Sequence, residues 1–229
     1  MKVASIFLLI ALISSASEED ITISVVGEIT FTQDMEPILD EKGAGFPFEG
    51  IKGILAGSDL TIGFLNSPIT TSSDQAPDVQ IPFRAPTSAA RGIAAGGIKA
   101  LSLATPHIMD YGPEGLKETR EFLEWYGVNW VGAGMNLEEA RKPLTLRVKG
   151  RKISLLAYLR GDQFQAGFAD VNQPGPCPFS LPVMENDIPS AKERADLLIV
   201  MIHGGVGGKR GVTEKRRFLA KMCLKMGAD

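Results

Sequence analysis

The sequence predicts an α/β fold on a mixed, partly parallel sheet, and three observations predict it. Short apolar runs such as 98–104 and 196–202 alternate with segments of helical period, the pattern of strands joined by crossover helices. Two further runs, 144–148 and 152–158, are split only by Lys149-Gly150-Arg151 and read as a β-hairpin, so the sheet is mixed. Polar residues collect directly after the apolar runs, where open α/β sheets carry their ligands. No internal repeat or linker divides the chain, and one domain is expected over residues 21–229.

Taken in order, ITISVVGEITFT (21–32) reads as a first strand ending in a polar turn around Gly27-Glu28. A loop rich in Gly and Pro leads to a short helix over 51–56. SDLTIGFL (58–65) is a second strand that stops at Asn66-Ser67-Pro68, and residues 70–82 form a polar loop. Pro86 opens a helix that runs to Ala95, because its fixed φ suits a first helical turn; Gly96-Gly97 stop it. The strand at 98–104 breaks at Pro106 and delivers His107, Asp110 and Gly112 past its carboxyl end. The clearest helix covers 113–126, with Leu116, Leu123 and Tyr126, joined by Thr119 and Phe122, on one side. Lys117–Glu121 and Arg120–Glu124 support it as i,i+4 pairs. A short strand at 128–131 follows, and Asn136 caps a brief helix to Arg141. After the hairpin come a long loop (161–182), a helix (187–194), a strand (196–202) and a final helix (213–226).

The totals narrow the classes of function. With 229 residues the chain can bury a sizeable core, and 44% hydrophobic with 22% charged residues excludes a disordered chain. A net charge of −3 and a pI near 5.5 argue against nucleic acid as a dedicated partner. Met1-Lys2, an apolar run over 6–13 and the small residues Ser14-Ser15-Ala16 describe a secretory signal peptide over residues 1–16. That run is too short for the roughly 20 residues of a membrane span. A mature chain with no membrane span, secreted or otherwise extracytoplasmic, is therefore expected. Cys177 and Cys223 are compatible with one disulfide, but Cys223 lies on an apolar helix face with Phe218, Leu219, Met222 and Met226 and reads better as a core thiol.

Four polar positions stand at predicted strand ends: Glu28, Asn66, His107 with Asp110, and His203. Carboxylate, amide and imidazole are ligand types of a hydrolytic metal site, so Glu28, Asn66, His107 and His203 are the candidate metal ligands and His107 the candidate catalytic residue. Each also has a plainer role. Glu28 and Asn66 suit turns, the histidines can bond to backbone at the sheet edge, and Asp110 can cap the turn into the 113–126 helix. The run from His203 to Arg210 fails as a phosphate loop, since His203 stands where the first glycine belongs and Arg210 replaces the hydroxyl residue.

The segment GGIKALSLATPHIMDYGPEGLKETREFLEWYGVNWVGAGMNLEEARKPLTLRVKGRKISLLAY (96–158) resembles the CapA family of capsule and poly-γ-glutamate synthesis proteins, related to calcineurin-like metallophosphatases. It matches that family's aliphatic strand, its Asn-Asn-His-x-x-Asp-x-Gly loop, and its Gly-Ala-Gly and Glu-Ala-Arg-x-Pro sequences. SDLTIGFLNSPIT resembles the segment carrying Asn-x-Glu, and ADLLIVMIHGG the segment carrying His-Trp-Gly. The resemblance implies a mixed-sheet αββα sandwich of the metallophosphatase type, with divalent metal held on loops at strand ends. Carried over position by position, Gly27-Glu28 replaces Gly-Asp, Asn66 is kept, and Pro68 stands where the glutamate belongs. Thr105-Pro106-His107 replaces Asn-Asn-His, while Asp110, Gly112 and His203 are kept and Gly204 replaces the tryptophan. The family continues beyond Gly-Ala-Asp into a strand and a Gly-His-His-Pro-His loop, so the domain is expected to be C-terminally incomplete at Asp229.

Those departures set the expected function. A two-metal site needs a bridging carboxylate and enough negative charge for both cations. One carboxylate and two imidazoles suit weak binding of a single ion, or none. The expectation is a secreted CapA-like protein of capsule or surface-polymer synthesis, catalytically impaired and acting by binding the polymer or cell-envelope assembly proteins. A metal-dependent hydrolase and a truncated, non-functional fragment are the alternatives.

Overall fold

The computed structural model describes residues 19–77, 79–161, 167–204 and 211–229. The signal peptide read over 1–16 lies outside the described residues, as does 205–210.

β1 (Ile23–Ile29), β2 (Leu60–Leu65), β3 (Ala100–Ser102) and β4 (Asn129–Val131) form a parallel four-stranded sheet in chain order. Parallel strands need crossovers, and α1 (Glu36–Lys42), α2 (Glu49–Ala56), α3 (Ser88–Ala95) and α4 (Gly112–Trp125) supply them. Beyond β4, β5 (Ala133–Gly134) leads into α5 (Leu137–Arg141). The hairpin of β6 (Leu144–Val148) and β7 (Arg151–Leu159) then starts a second sheet. β5 pairs with β8 (Gly175–Pro176), α6 (Leu181–Lys192) follows, and β9 (Leu197–His203) joins β7 in parallel before α7 (Glu214–Met226). The second sheet has the order β6-β7-β9 and is mixed, as the hairpin predicted.

Side-chain alternation sorts these elements into layers. On β7, Ile153, Leu155 and Ala157 point into a core shared with Ile62, Ala100 and Val131 of the first sheet. The intervening Leu156 and Tyr158 face the opposite way, toward Met184 and Ile188 of α6 and Cys223 of α7. On the far side of the first sheet, Leu101 packs with Leu39, Ile93, Leu116 and Leu123 of the crossover helices. A strand buried on both faces reads as a continuous apolar run, which is why Ile153–Leu159 lacks the polar alternation of an exposed sheet. The result is helices, sheet, sheet, helices: the αββα sandwich that was expected. Gly132 shows how tightly the sheets meet. Its φ is +87°, and a Cβ there would lie 2.6 Å from Ala157 Cβ and 2.9 Å from Ala104 Cβ.

Two helices depart from the sequence reading, and so does the β5–β8 pair, whose β8 forms within the segment read as the loop 161–182. α6 starts at Leu181 rather than at 187, because Pro182 occupies its first turn, where no N–H is needed. α1 forms within the segment read as loop, again with its proline (Pro37) in the first turn. Asn136 caps α5 as predicted, its side chain accepting from Glu139 N. The polar loop after β2 is pinned at both ends. The Glu118 carboxylate accepts from the hydroxyls of Thr70 and Thr71 and from Thr71 N, while Arg84 donates to Ser72 O at 2.7 Å. Both cysteines are free and buried, and burial pushes the Cys177 thiol up to about 12.

Candidate functional site

Glu28 sits near the carboxyl end of β1, just past a register shift between Val25 and Glu28. Asn66 follows β2 directly, and His203 is the last residue of β9. The parallel pairing of β1 with β2 puts Glu28 and Asn66 at one sheet edge, and the stacking of the two sheets brings His203 across to them. Asn66 Nδ2 donates to Glu28 Oε2 at 3.1 Å, and His203 Nε2 lies 2.5 Å from Glu28 Oε1. The Phe64 ring meets the imidazole edge-on, with centroids 6.1 Å apart. Glu28 is half exposed while Asn66 is buried. Among the described residues two buried atoms here have no partner, Asn66 Oδ1 and His203 Nδ1. An Nε2–H tautomer donating to Glu28 leaves Nδ1 with only a lone pair to satisfy. The amide oxygen is the greater cost, about 1–3 kcal/mol for an unpaired buried acceptor.

His107 belongs to a different arrangement. Its Nδ1 lies 2.7 Å from Asp110 Oδ2, which also accepts from Phe83 N at 2.7 Å. The Phe83 ring stacks on the imidazole, with centroids 4.1 Å apart and planes tilted by 27°. Asp110 O accepts from Ala76 N, so one buried residue ties the 70–85 loop to the start of α4. Thr105 Oγ1 donates to Leu65 O at 2.7 Å and fixes the approach to His107 beside the end of β2. No hydrogen bond among the described residues joins this pair to Glu28, Asn66 or His203. Three of the four predicted ligands are thus linked, and the fourth stands with Asp110 on a neighbouring loop. Phe64 and Phe83 were missed by the sequence reading. Their roles depend on contacts between separate loops, which no local spacing encodes.

Among the described residues, no group of three or more His, Cys, Asp or Glu side chains is placed to hold a metal ion. The linked trio offers one carboxylate, one imidazole and one amide. Asn66 turns its NH₂ toward Glu28, and an amide nitrogen is no ligand, so a cation needs the partnerless Oδ1 swung round. It also has to replace the Glu28–His203 hydrogen bond. A single cation would be held only after both of those changes. The donors do not fit two, because Pro68 contributes no bridging carboxylate.

Residues 22–229 match the family model for the bacterial capsule synthesis protein PGA_cap. The chain belongs to this family. Among curated PGA_cap-like relatives it is 27% identical to the capsule biosynthesis protein CapA of Bacillus anthracis, over 96% of this chain and 55% of that protein. It is 28% identical to the PGA biosynthesis protein CapA of Bacillus subtilis (strain 168), over 95% of this chain and 57% of the relative. The chain therefore spans about half the length of the curated relatives it matches. A solved structure, a candidate 5′-nucleotidase from Staphylococcus aureus in complex with α-ketoglutarate, aligns with a TM-score of 0.47 and 15% identity over 90% of this chain and 42% of that one. Likeness at that level carries no functional argument. Among the described residues no helix is long and apolar enough to cross a membrane.

Proposed function

We propose that this PGA_cap protein serves, outside the cytoplasm, in the synthesis of a capsule or poly-γ-glutamate-type surface polymer. It acts there by binding the polymer or an envelope assembly protein rather than by cleaving a bond. The observation that carries this reading is the double engagement of Glu28. The carboxylate of the strand-end trio already accepts from Asn66 at one oxygen and meets His203 at the other, so both oxygens are engaged inside the protein. Pro68 and Pro106, at two further positions where the family resemblance implies donors, point the same way.

One observation favours a second reading, a metal-dependent hydrolase. The partnerless buried Asn66 Oδ1 lies beside a carboxylate and an imidazole, a set of donor types that a divalent cation takes. When bound, a cation would polarise the attacked oxygen and lower the pKa of a water. Glu28 and His203 would hold it, Asn66 would complete the set, and Asp110 would keep the His107 ring oriented. The two readings separate on one assay. The protein is incubated with Mn²⁺ or Zn²⁺ and an activated phosphodiester, and sedimented in parallel with poly-γ-glutamate. The binding reading expects co-sedimentation and no turnover above that of the Glu28→Gln variant. Turnover that falls on Glu28→Gln and His203→Ala, without polymer binding, overturns it.

A further inference from the structure

Away from the strand ends, an open pocket of about 500 Å³ lies between α5 and α6. It is lined by Asn136, Leu137, Glu138, Arg141, Lys142 and Val171, with Asp187 at its wall. Arg141 and Asp187 form a bidentate pair, Nη2 to Oδ1 at 2.6 Å and Nε to Oδ1 and Oδ2 at 3.1 and 3.2 Å. The Tyr158 hydroxyl donates to the same carboxylate at 3.3 Å. Asp187, 11% exposed, is thereby saturated and has little left to offer a ligand. Its pairing holds the guanidinium in a fixed orientation and leaves Arg141 Nη1 without a partner among the described residues. Asn136 spends its Oδ1 on the α5 cap, at 2.9 Å from Glu139 N, so its NH₂ is also unpartnered. The Lys142 backbone N–H caps α5 on Glu139 O, and its ammonium, which helps hold the Glu139 carboxyl below its ordinary value, makes no hydrogen bond or ion pair among the described residues. Three donor groups, two of them cationic, therefore line the pocket against one unengaged acceptor, Glu138.

We infer that this pocket binds a carboxylate group, of a free acid or of an acidic side chain, separately from the strand-end residues. Arg141 and Asn136 supply its hydrogen bonds and Lys142 its charge. The free Arg141 Nη1 and the Asn136 NH₂ are N–H donors for the two oxygens of a carboxylate, and the guanidinium pre-held by Asp187 loses little freedom on binding. Leu137 and Val171 provide apolar wall for the carbon stem. The Arg141–Asp187 pair also fastens α5 to α6, so removing Arg141 would damage the fold and is uninformative.

Two substitutions avoid that damage. Asn136→Asp keeps the oxygen that caps α5 while replacing the free NH₂ by a negative oxygen, and Lys142→Gln removes an exposed charge. The probe is glutarate, titrated by NMR up to about 20 mM into the full chain, where weak millimolar binding is readable. Saturable shifts confined to residues 136–142 and 187 are expected. Asn136→Asp and Lys142→Gln should each weaken binding by about fivefold, and Glu138→Gln should strengthen it by about twofold. Neutral glutaramide should not compete. Absence of saturable shifts overturns the assignment, and so do affinities indifferent to all three substitutions, equal binding of glutaramide, or tighter binding of inorganic phosphate than of glutarate.

Discussion

The chain has two histidines, and the structure uses them in opposite ways. His107 is held locally, by a carboxylate three residues away and by a phenylalanine stacked on its ring. His203 is held at long range, by a carboxylate 175 residues away in the other sheet. The Asp110 that holds His107 is buried and also fastens the 70–85 loop, whereas the Glu28 that meets His203 is half exposed and fastens little else. Both imidazoles stand at strand ends, so position in the fold does not distinguish them. What does is whether the partner carboxylate has other work inside the protein. One histidine belongs to an assembled loop anchor, and the other to a half-exposed contact that ties little else in the fold.

The largest effect that tests this contrast is expected at Asp110. Asp110→Ala strands the Phe83 N–H and unties His107, and should lower stability by about 2–4 kcal/mol in urea unfolding. A loss below about 1 kcal/mol would put the two histidine sites on an equal footing. Phe83→Ala should cost less, about 1–2 kcal/mol, and should speed diethylpyrocarbonate modification of His107 while leaving His203 unchanged by mass spectrometry. Unchanged reactivity at His107 would mean that the stacked ring shields nothing.

A third, smaller effect concerns acid. Burial tends to raise the Glu118 carboxyl, but hydrogen bonds from Thr70, Thr71 and Ser72 outweigh it and hold the group below its ordinary value. A folded-state value below the unfolded one gives stability that is present above the unfolded value and lost as pH falls through the folded value. The 70–85 loop should accordingly gain amide exchange and protease sensitivity on acidification, below the usual glutamate range. Glu118→Gln should show that looseness already at neutral pH, with less further change in acid. The smallest effect is expected at Glu28, where Glu28→Gln should shift stability by less than about 1 kcal/mol, as exposed pairs do.

Much of the fold was legible because apolar period and punctuation agree along most of the chain. The hairpin around Gly150, the Asn136 cap and the α4 face were all readable from neighbouring residues. α1 and the start of α6 were not, because Pro37 and Pro182 serve a helix as first-turn residues just as readily as they break one. At the strand ends, the convergence of Glu28, Asn66 and His203 followed from topology. Phe83 over His107 and the sharing of Asp110 did not, since each depends on how a loop folds back onto a helix start. Arg141 was visible as part of a motif, but its saturated partner Asp187 lies 46 residues on and nothing in the sequence pairs them.

The central claim is that the strand-end trio, with its one carboxylate engaged by Asn66 and His203, does not support a pair of metal ions. Equilibrium dialysis of the protein against Mn²⁺ and Zn²⁺, with bound metal counted by mass spectrometry, tests it most directly. At most one ion per chain, exchangeable and lost in Glu28→Gln, is the predicted result. Two tightly held ions per chain, both released by Glu28→Gln or His203→Ala, would contradict it.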